Sequence, residues 1–378
     1  MVSRITAGVT AFASSMSVAV PAQIPPPPLS VTIPHIPSGV SVANDRSNAA
    51  PLLVKSLDPA VALLGLNPCR YSRSYANGEP SGAVTMVGNP EIDCATWKVS
   101  KAPDVTVFSG SVTIAGSRLP IVAFYDGRDL APSTPRRIVI DVIGGPGSDI
   151  SPGLNDDLPL FLVERGVFVV RLGYTGTRHG SSFPRPDLDN ASFQVGSYAT
   201  RLRQLHPRGK IVLLGESLGG LISAKAAGDL PAAPVIDGLA MVMPLVFSAN
   251  EAVGNFNHLF SARHEQVPAS PRIRLLESPH DLWSDGRLAT VPGLDLLRGF
   301  FPETARRRNL ESYLARTRGL KKMLAFGEND DRTGNAGIAS IARDIPDLDV
   351  VKLERSGHFF DRRTAQQLVD RMWDLFLK

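Results

Sequence analysis

Six short, nearly continuous apolar runs punctuate the chain, at residues 138–143, 167–172, 210–214, 239–243, 322–326 and 350–353. A strand with one wet face alternates apolar and polar residues. A run rich in Val, Ile and Leu without that alternation has no wet face, so it must be covered on both sides. Helical patterns fall between most of the runs. Residues 157–165 end at Gly166, a glycine suited to a helix C-terminus, and residues 193–205 stop before Pro207. Residues 218–227 are apolar nearly all round, as in a helix buried against a sheet. Near the end, Ala365, Leu368, Val369, Met372, Leu375 and Phe376 share one helical stripe. Strand and helix alternating in this order predict a mostly parallel sheet with helices on both faces. Ahead of it, residues 105–114 and 119–125 alternate apolar and polar around Gly116 and Ser117, which predicts an antiparallel hairpin at a sheet edge. The core is thus expected from residues 104–246 and 321–378, with eight strands. The interval 247–320 has candidate helices but no strand-like run, and is too long for a plain connection. It is expected to form a helical cap inserted between strands 6 and 7.

The chain has 378 residues, 43% of them hydrophobic, which suits one α/β domain with an insertion. Charged residues are 20% and the formal net charge is +4, which excludes a disordered polyelectrolyte. Lys and Arg are scattered. The run Arg306, Arg307, Arg308 sits between Glu303 and Glu311 and reads as a solvated helix face, so no nucleic-acid partner is expected. Residues 1–22 carry Arg4, a mildly apolar stretch over 5–20, and Val20-Pro21-Ala22. That pattern suits an export signal, with a disordered tail as the alternative; it is too short and too rich in Ser, Gly and Ala for stable membrane insertion. Residues 23–103 begin with a proline-rich arm, including Pro25 to Pro28, and continue as a turn-rich N-terminal extension lying on the main domain. The extension holds both cysteines, Cys69 and Cys94. With an export-like start, they suggest one disulfide in a periplasmic or extracellular protein; two unrelated thiols are the alternative. Two cysteines and seven dispersed histidines make no metal motif, and no cofactor is implied.

Chemistry is concentrated at Gly215-Glu216-Ser217-Leu218-Gly219, which follows the run 210–214 and opens the helix at 218. For one side chain to project from so sharp a strand-to-helix reversal, the residues two before and two after it must be small. G-x-S-x-G occurs once in the chain. A serine hydroxyl needs a base, and His358 is placed after the last strand, preceded by Gly357. The imidazole needs a carboxylate to hold its tautomer. The seventh strand leads into Gly327, Glu328, Asn329, Asp330 and Asp331; Asp330 is favoured, with Asp331 and Glu328 as competitors. An oxyanion needs aimed N–H groups. Leu218 offers one. The loop Ile143-Gly144-Gly145-Pro146-Gly147 offers its partner, Gly145, with Gly144 in reserve.

From about Val105 to Lys378 these residues resemble the α/β-hydrolase superfamily: the elbow at 215–219, the acid turn at 327–330 and Gly357-His358 match its nucleophile, acid and histidine in order. The stretch Gly144-Gly145-Pro146-Gly147 resembles the oxyanion loop of the proline iminopeptidase-like branch, with Ile143 where that branch usually has histidine. The segment from Tyr174 to Ser182 resembles the loop after the fourth strand. The resemblance implies an α/β-hydrolase fold and a serine hydrolase acting on a small ester through an acyl-enzyme. A short peptide is the alternative substrate. From other classes, a cofactor-free lyase or haloperoxidase, or a binding protein, are the competitors.

Overall fold

A computed structural model describes residues 59–68, 72–76, 79–80, 94–99, 102–128, 136–144, 150, 157–177, 187–231, 234–245, 309–330, 337–359 and 361–378. The expected export signal and proline arm lie outside them, as do Cys69 and residues 246–308.

Eleven strands and seven helices are described. The N-terminal part gives α1 (Pro59–Leu63), β1 (Ser72–Ala76), β2 (Glu79–Pro80) and β3 (Cys94–Val99). There follow β4 (Ala102–Ile114), β5 (Ser117–Asp126), β6 (Arg137–Val142), α2 (Asp157–Glu164), β7 (Val167–Leu172), α3 (Leu188–Leu205), β8 (Lys210–Glu216), α4 (Leu218–Asp229) and β9 (Gly238–Val242). The rest is α5 (Asn309–Arg316), β10 (Lys321–Gly327), α6 (Ile338–Asp344), β11 (Leu348–Leu353), α7 (Arg362–Met372) and a π-helical turn, Trp373–Leu377. Strands β4 to β11 are the eight anticipated, two from the alternating hairpin segments and six from the apolar runs.

All eleven strands form one sheet in the order β11-β10-β9-β8-β6-β7-β5-β4-β3-β1-β2. From β6 to β11 every pairing is parallel, and β5 joins β7 antiparallel. The chain leaves β6 for β7 on one side and then crosses to β8 on the other. The crevice above the carboxyl ends of β6 and β8 is therefore the switch point where open α/β sheets gather ligands.

Alternation within β7 shows why the runs had to be continuous. Val167 and Val169 join the core on the α2 and α7 side, whereas Phe168, Val170 and Leu172 join the core on the α3 and α4 side. All six β7 residues are buried. Gly166 ends α2 at φ +74°, where glycine is free of Cβ strain. Asp187 caps α3, accepting from the Asn190 N–H at 2.8 Å.

The hairpin β4–β5 is present, but it is not at the edge. Strand β3 pairs antiparallel to β4, β1 lies parallel to β3, and β2 closes the series. The open N–H and C=O row of the 13-residue β4 is what the extension satisfies. Part of the N-terminal extension therefore continues the sheet rather than lying on it. Helix α1 is fastened to α3, with the Tyr198 hydroxyl donating to Leu64 O at 3.2 Å.

Within the interval expected to be the cap, α5 packs against α4 and buries Leu310, Tyr313 and Leu314 in the main core. Residues 246–308, most of that interval, lie outside the described set.

Candidate active site

Strand β8 passes into α4 through the single residue Ser217, at φ 52° and ψ −120°. A β-carbon makes that backbone unfavourable, by roughly 1–3 kcal/mol, so the surroundings must impose it. They do so on both sides of the residue. The Ser217 N–H donates to Val242 O at 2.9 Å, and its carbonyl accepts from Gly220 N at 3.0 Å and Leu245 N at 3.2 Å. The flanking glycines are obligatory for space. A methyl at Gly215 would lie 2.3 Å from Gly219 O, and one at Gly219 would lie 1.9 Å from Val142 O. Gly220 abuts Pro244, where a methyl would come within 2.8 Å of the proline Cβ.

Strand register brings the other functional ends alongside. Gly215 pairs with Val142 and Met241, Ala325 with Val242, and Gly327 with Leu353. The ends of β8 and β10 stand two strand spacings apart, ~10 Å, so groups on the loops after β10 and β11 must reach back across β9. Those two loops are sewn together. Glu328 N donates to Leu353 O at 3.0 Å and Asn329 N to Ser356 O at 2.9 Å. Gly327 is pressed against the second loop, with Gly357 O only 2.4 Å from where a methyl would sit. The left-handed turn there belongs to Arg355, at φ 58°. The absence of a side chain at Gly327 is what lets the second loop approach so closely.

The seam brings Asp330 to His358. Nδ1 of the imidazole lies 3.2 Å from Oδ1 and 3.1 Å from Oδ2 of Asp330. The carboxylate side chain is 0% exposed and the imidazole 11%. A buried carboxylate at Nδ1 leaves Nε2 as the ring nitrogen available to a reacting group. Glu328, one of the competitors, is occupied elsewhere. It accepts from Lys352 Nζ at 2.7 Å and from Arg355 N at 3.1 Å, and the Lys352 hydrogen bond holds its carboxyl below the usual carboxylate range. Asp331 lies outside the described residues. Among the described residues no hydrogen bond joins the Ser217 hydroxyl to the imidazole; such contacts are commonly loose before substrate binds.

On the opposite side of Ser217 stands Gly144. A methyl there would lie 2.5 Å from Ser217 Cβ and 3.3 Å from its Oγ, so the loop after β6 touches Ser217. Leu218 supplies the first N–H of α4, whose opening turn leaves amides unpaired within the helix. Gly145, the favoured donor, lies outside the described residues.

Three features near the site were not read from the sequence. Met243, at φ 47°, ends β9 in a second unfavourable backbone and donates its N–H to Ala325 O at 2.7 Å. Asp141 and Arg171 form a buried ion pair across β6 and β7 at 2.9 Å, just below Gly144. The Tyr174 hydroxyl, fully buried, donates to Ile143 O at 3.0 Å. Residue type alone flags the first of these no further than an ordinary core methionine; the ion pair is legible only as two charges inside apolar runs. Cys94 is buried on β3 at 3% exposure.

A mostly parallel sheet with a strained serine at its switch point, and a carboxylate–histidine pair on the last two loops, defines a hydrolase of the α/β type. A model of the alpha/beta hydrolase family matches residues 145–371, and the chain belongs to that family. A solved structure agrees at the level of the fold. An esterase from Pyrococcus furiosus is 13% identical and superposes with a TM-score of 0.52, over 71% of this chain and 91% of that one. Est1E from Butyrivibrio proteoclasticus gives 13% identity and 0.45 over 71% and 98%. A dienelactone hydrolase from Anabaena variabilis gives 13% and 0.46 over 72% and 99%. No curated protein sequence matches significantly.

Proposed function

We propose that the protein is a serine esterase that cleaves small carboxylic esters through an acyl-enzyme on Ser217. Ser217 Oγ attacks the carbonyl carbon while His358 Nε2 takes its proton. The negative charge that develops on the carbonyl oxygen is met by the Leu218 N–H and one from Gly145 or Gly144. Protonated His358 then gives its proton to the departing alcohol. Water, deprotonated by His358, attacks the acyl carbon and releases the acid and free Ser217. Asp330 holds the imidazole in one tautomer throughout and stabilises its cationic form. No step calls for a metal or organic cofactor.

The observation that carries this reading is the buried Asp330–His358 contact at 3.1 Å, on the same row of strand ends as Ser217. The expected cap, residues 247–320, would select the acyl and alcohol groups. Export through residues 1–22 and a Cys69–Cys94 bridge complete the proposal.

A fluorophosphonate probe and a panel of p-nitrophenyl esters and aminoacyl anilides test it. Wild type should label and favour esters. Ser217→Ala should lose labelling and about 10⁴-fold or more in kcat. Full activity in Ser217→Ala would overturn the nucleophile, and faster anilide cleavage would move the protein to the exopeptidases.

A further inference from the structure

Oxyanion stabilisation depends on where peptide N–H groups point, and a peptide bordered by glycine is easily turned over. The Ile143–Gly144 peptide is such a plane, and it stands against the nucleophile. Two contacts fix its carbonyl. The Tyr174 hydroxyl donates to Ile143 O at 3.0 Å, and the Cα of Gly219 crowds that oxygen so closely that a methyl there would lie 2.7 Å from it. In a planar trans peptide the N–H points opposite to the C=O. A carbonyl held inward toward Tyr174 and α4 therefore holds the Gly144 N–H outward.

We propose that Tyr174 is a positioning residue, whose hydroxyl locks the Ile143–Gly144 peptide so that the Gly144 N–H beside Ser217 is fixed in direction before substrate arrives. The inference rests on the triad reading and adds to it the group that orients one wall of the oxyanion site.

Tyr174 is built as an anchor. Its side chain is 0% exposed. Its own carbonyl accepts from Thr177 N at 3.0 Å and Thr177 Oγ1 at 2.8 Å. On either side, Gly173 N donates to Pro120 O at 2.8 Å and Thr175 N donates to Gln194 Oε1 at 2.7 Å. A donor held this firmly can hold its acceptor. Burial also pushes the phenol well above its ordinary pKa, so it remains a proton donor.

Tyr174→Phe removes the hydroxyl and keeps the ring. Losing a whole oxyanion donor lowers kcat roughly 10²–10³-fold. Loosening its aim should lower kcat about tenfold, with KM changed less than threefold. A trifluoromethyl ketone, to which Ser217 adds as an oxyanion, should bind about tenfold more weakly in parallel. A 4-aminophenylalanine placed at 174, which still offers a donor, should recover most of both losses. A hydroxyl that matters only for folding would lower Tm and leave kcat and ketone affinity unchanged below the melt. That result overturns the inference, as does a Tyr174→Phe protein that fails to fold, or a kcat loss without loss of ketone affinity. Ser217→Ala is measured alongside. Activity surviving Ser217→Ala sinks the triad and this inference together; activity lost there but intact in Tyr174→Phe sinks this inference alone.

Discussion

Gly219→Ala is the sharpest test of how tightly the site is assembled. The added methyl would lie 1.9 Å from Val142 O and 2.7 Å from Ile143 O. A tolerable carbon–oxygen contact is about 3.3 Å. The first turn of α4 and the end of β6 must therefore part by about 1.4 Å, and backbone on both sides leaves no flexible side chain to give way. Helix α4 begins at Leu218, directly after Ser217, while β6 runs into Gly144, so the movement separates Ser217 from Gly144. A misplacement of 1 Å can lower a rate 10²-fold, and kcat/KM on a p-nitrophenyl ester should fall by about that factor. Overpacking of this kind destabilises by about 1–3 kcal/mol. For a chain of 378 residues that corresponds to a Tm roughly 1–4 °C lower, read by circular dichroism. Gly196→Ala is the control. It lies inside α3, where the new methyl meets Leu230 Cδ2 at 3.5 Å and Ala226 O at 3.9 Å, both ordinary contacts. Replacing a mid-helix glycine by alanine favours the helix by about 1 kcal/mol, so its Tm should hold or rise and its activity stay within twofold. A Gly219→Ala enzyme with kcat/KM within threefold of wild type would refute the close-approach argument.

Three further outcomes are expected. Asp330→Asn should lower kcat by about 10³–10⁴-fold by freeing the imidazole tautomer, whereas Glu328→Gln, which weakens exposed contacts to Lys352 and the Arg355 N–H, should stay within threefold; the reverse ranking in steady-state assays would reassign the acid. Asp361 caps α7, and hydrogen bonds from the Thr364 N–H and hydroxyl hold its carboxyl below the usual range. A depressed carboxyl stabilises above its unfolded pKa and loses that contribution as pH falls through the folded value. Asp361→Ala should therefore destabilise by about 1 kcal/mol at pH 7 and much less near pH 2–3, and a melting difference independent of pH would contradict the cap. Non-reducing mass mapping of exported protein should find Cys69 joined to Cys94, and reduction should lower stability by about 2–4 kcal/mol; two free thiols would end that part of the proposal.

Much of this fold was legible because its strands are covered on both faces. Leu213 and Val212 point to opposite cores, so each position had to be apolar, and the run at 210–214 declared itself without any partner in view. The elbow was legible for a similar reason. The steric demand at Gly215 is local, since Gly219 and Gly220 set it, whereas that at Gly219 comes from Val142 and Ile143 at the end of β6 and shows in the sequence only as the second glycine of the motif. Strands β1 and β3 were not legible, since Ser72–Ala76 and Cys94–Val99 mix polar and apolar residues and become strands by meeting the open side of β4.

Local sequence thus determined the order of strand and helix, the turn that exposes Ser217, and the chain order of serine, acid and histidine. Tertiary structure alone decided which carboxylate meets His358, since Glu328 and Asp330 differ only in which loop lies opposite each: Lys352 and Arg355 for one, the imidazole for the other. It also decided that Tyr174 grips Ile143, 31 residues away in sequence. The reason is one of range. Periodicity and turn sterics act over a few residues and leave a local imprint, whereas a hydrogen bond between distant loops exists only once the strands beneath them have paired in register.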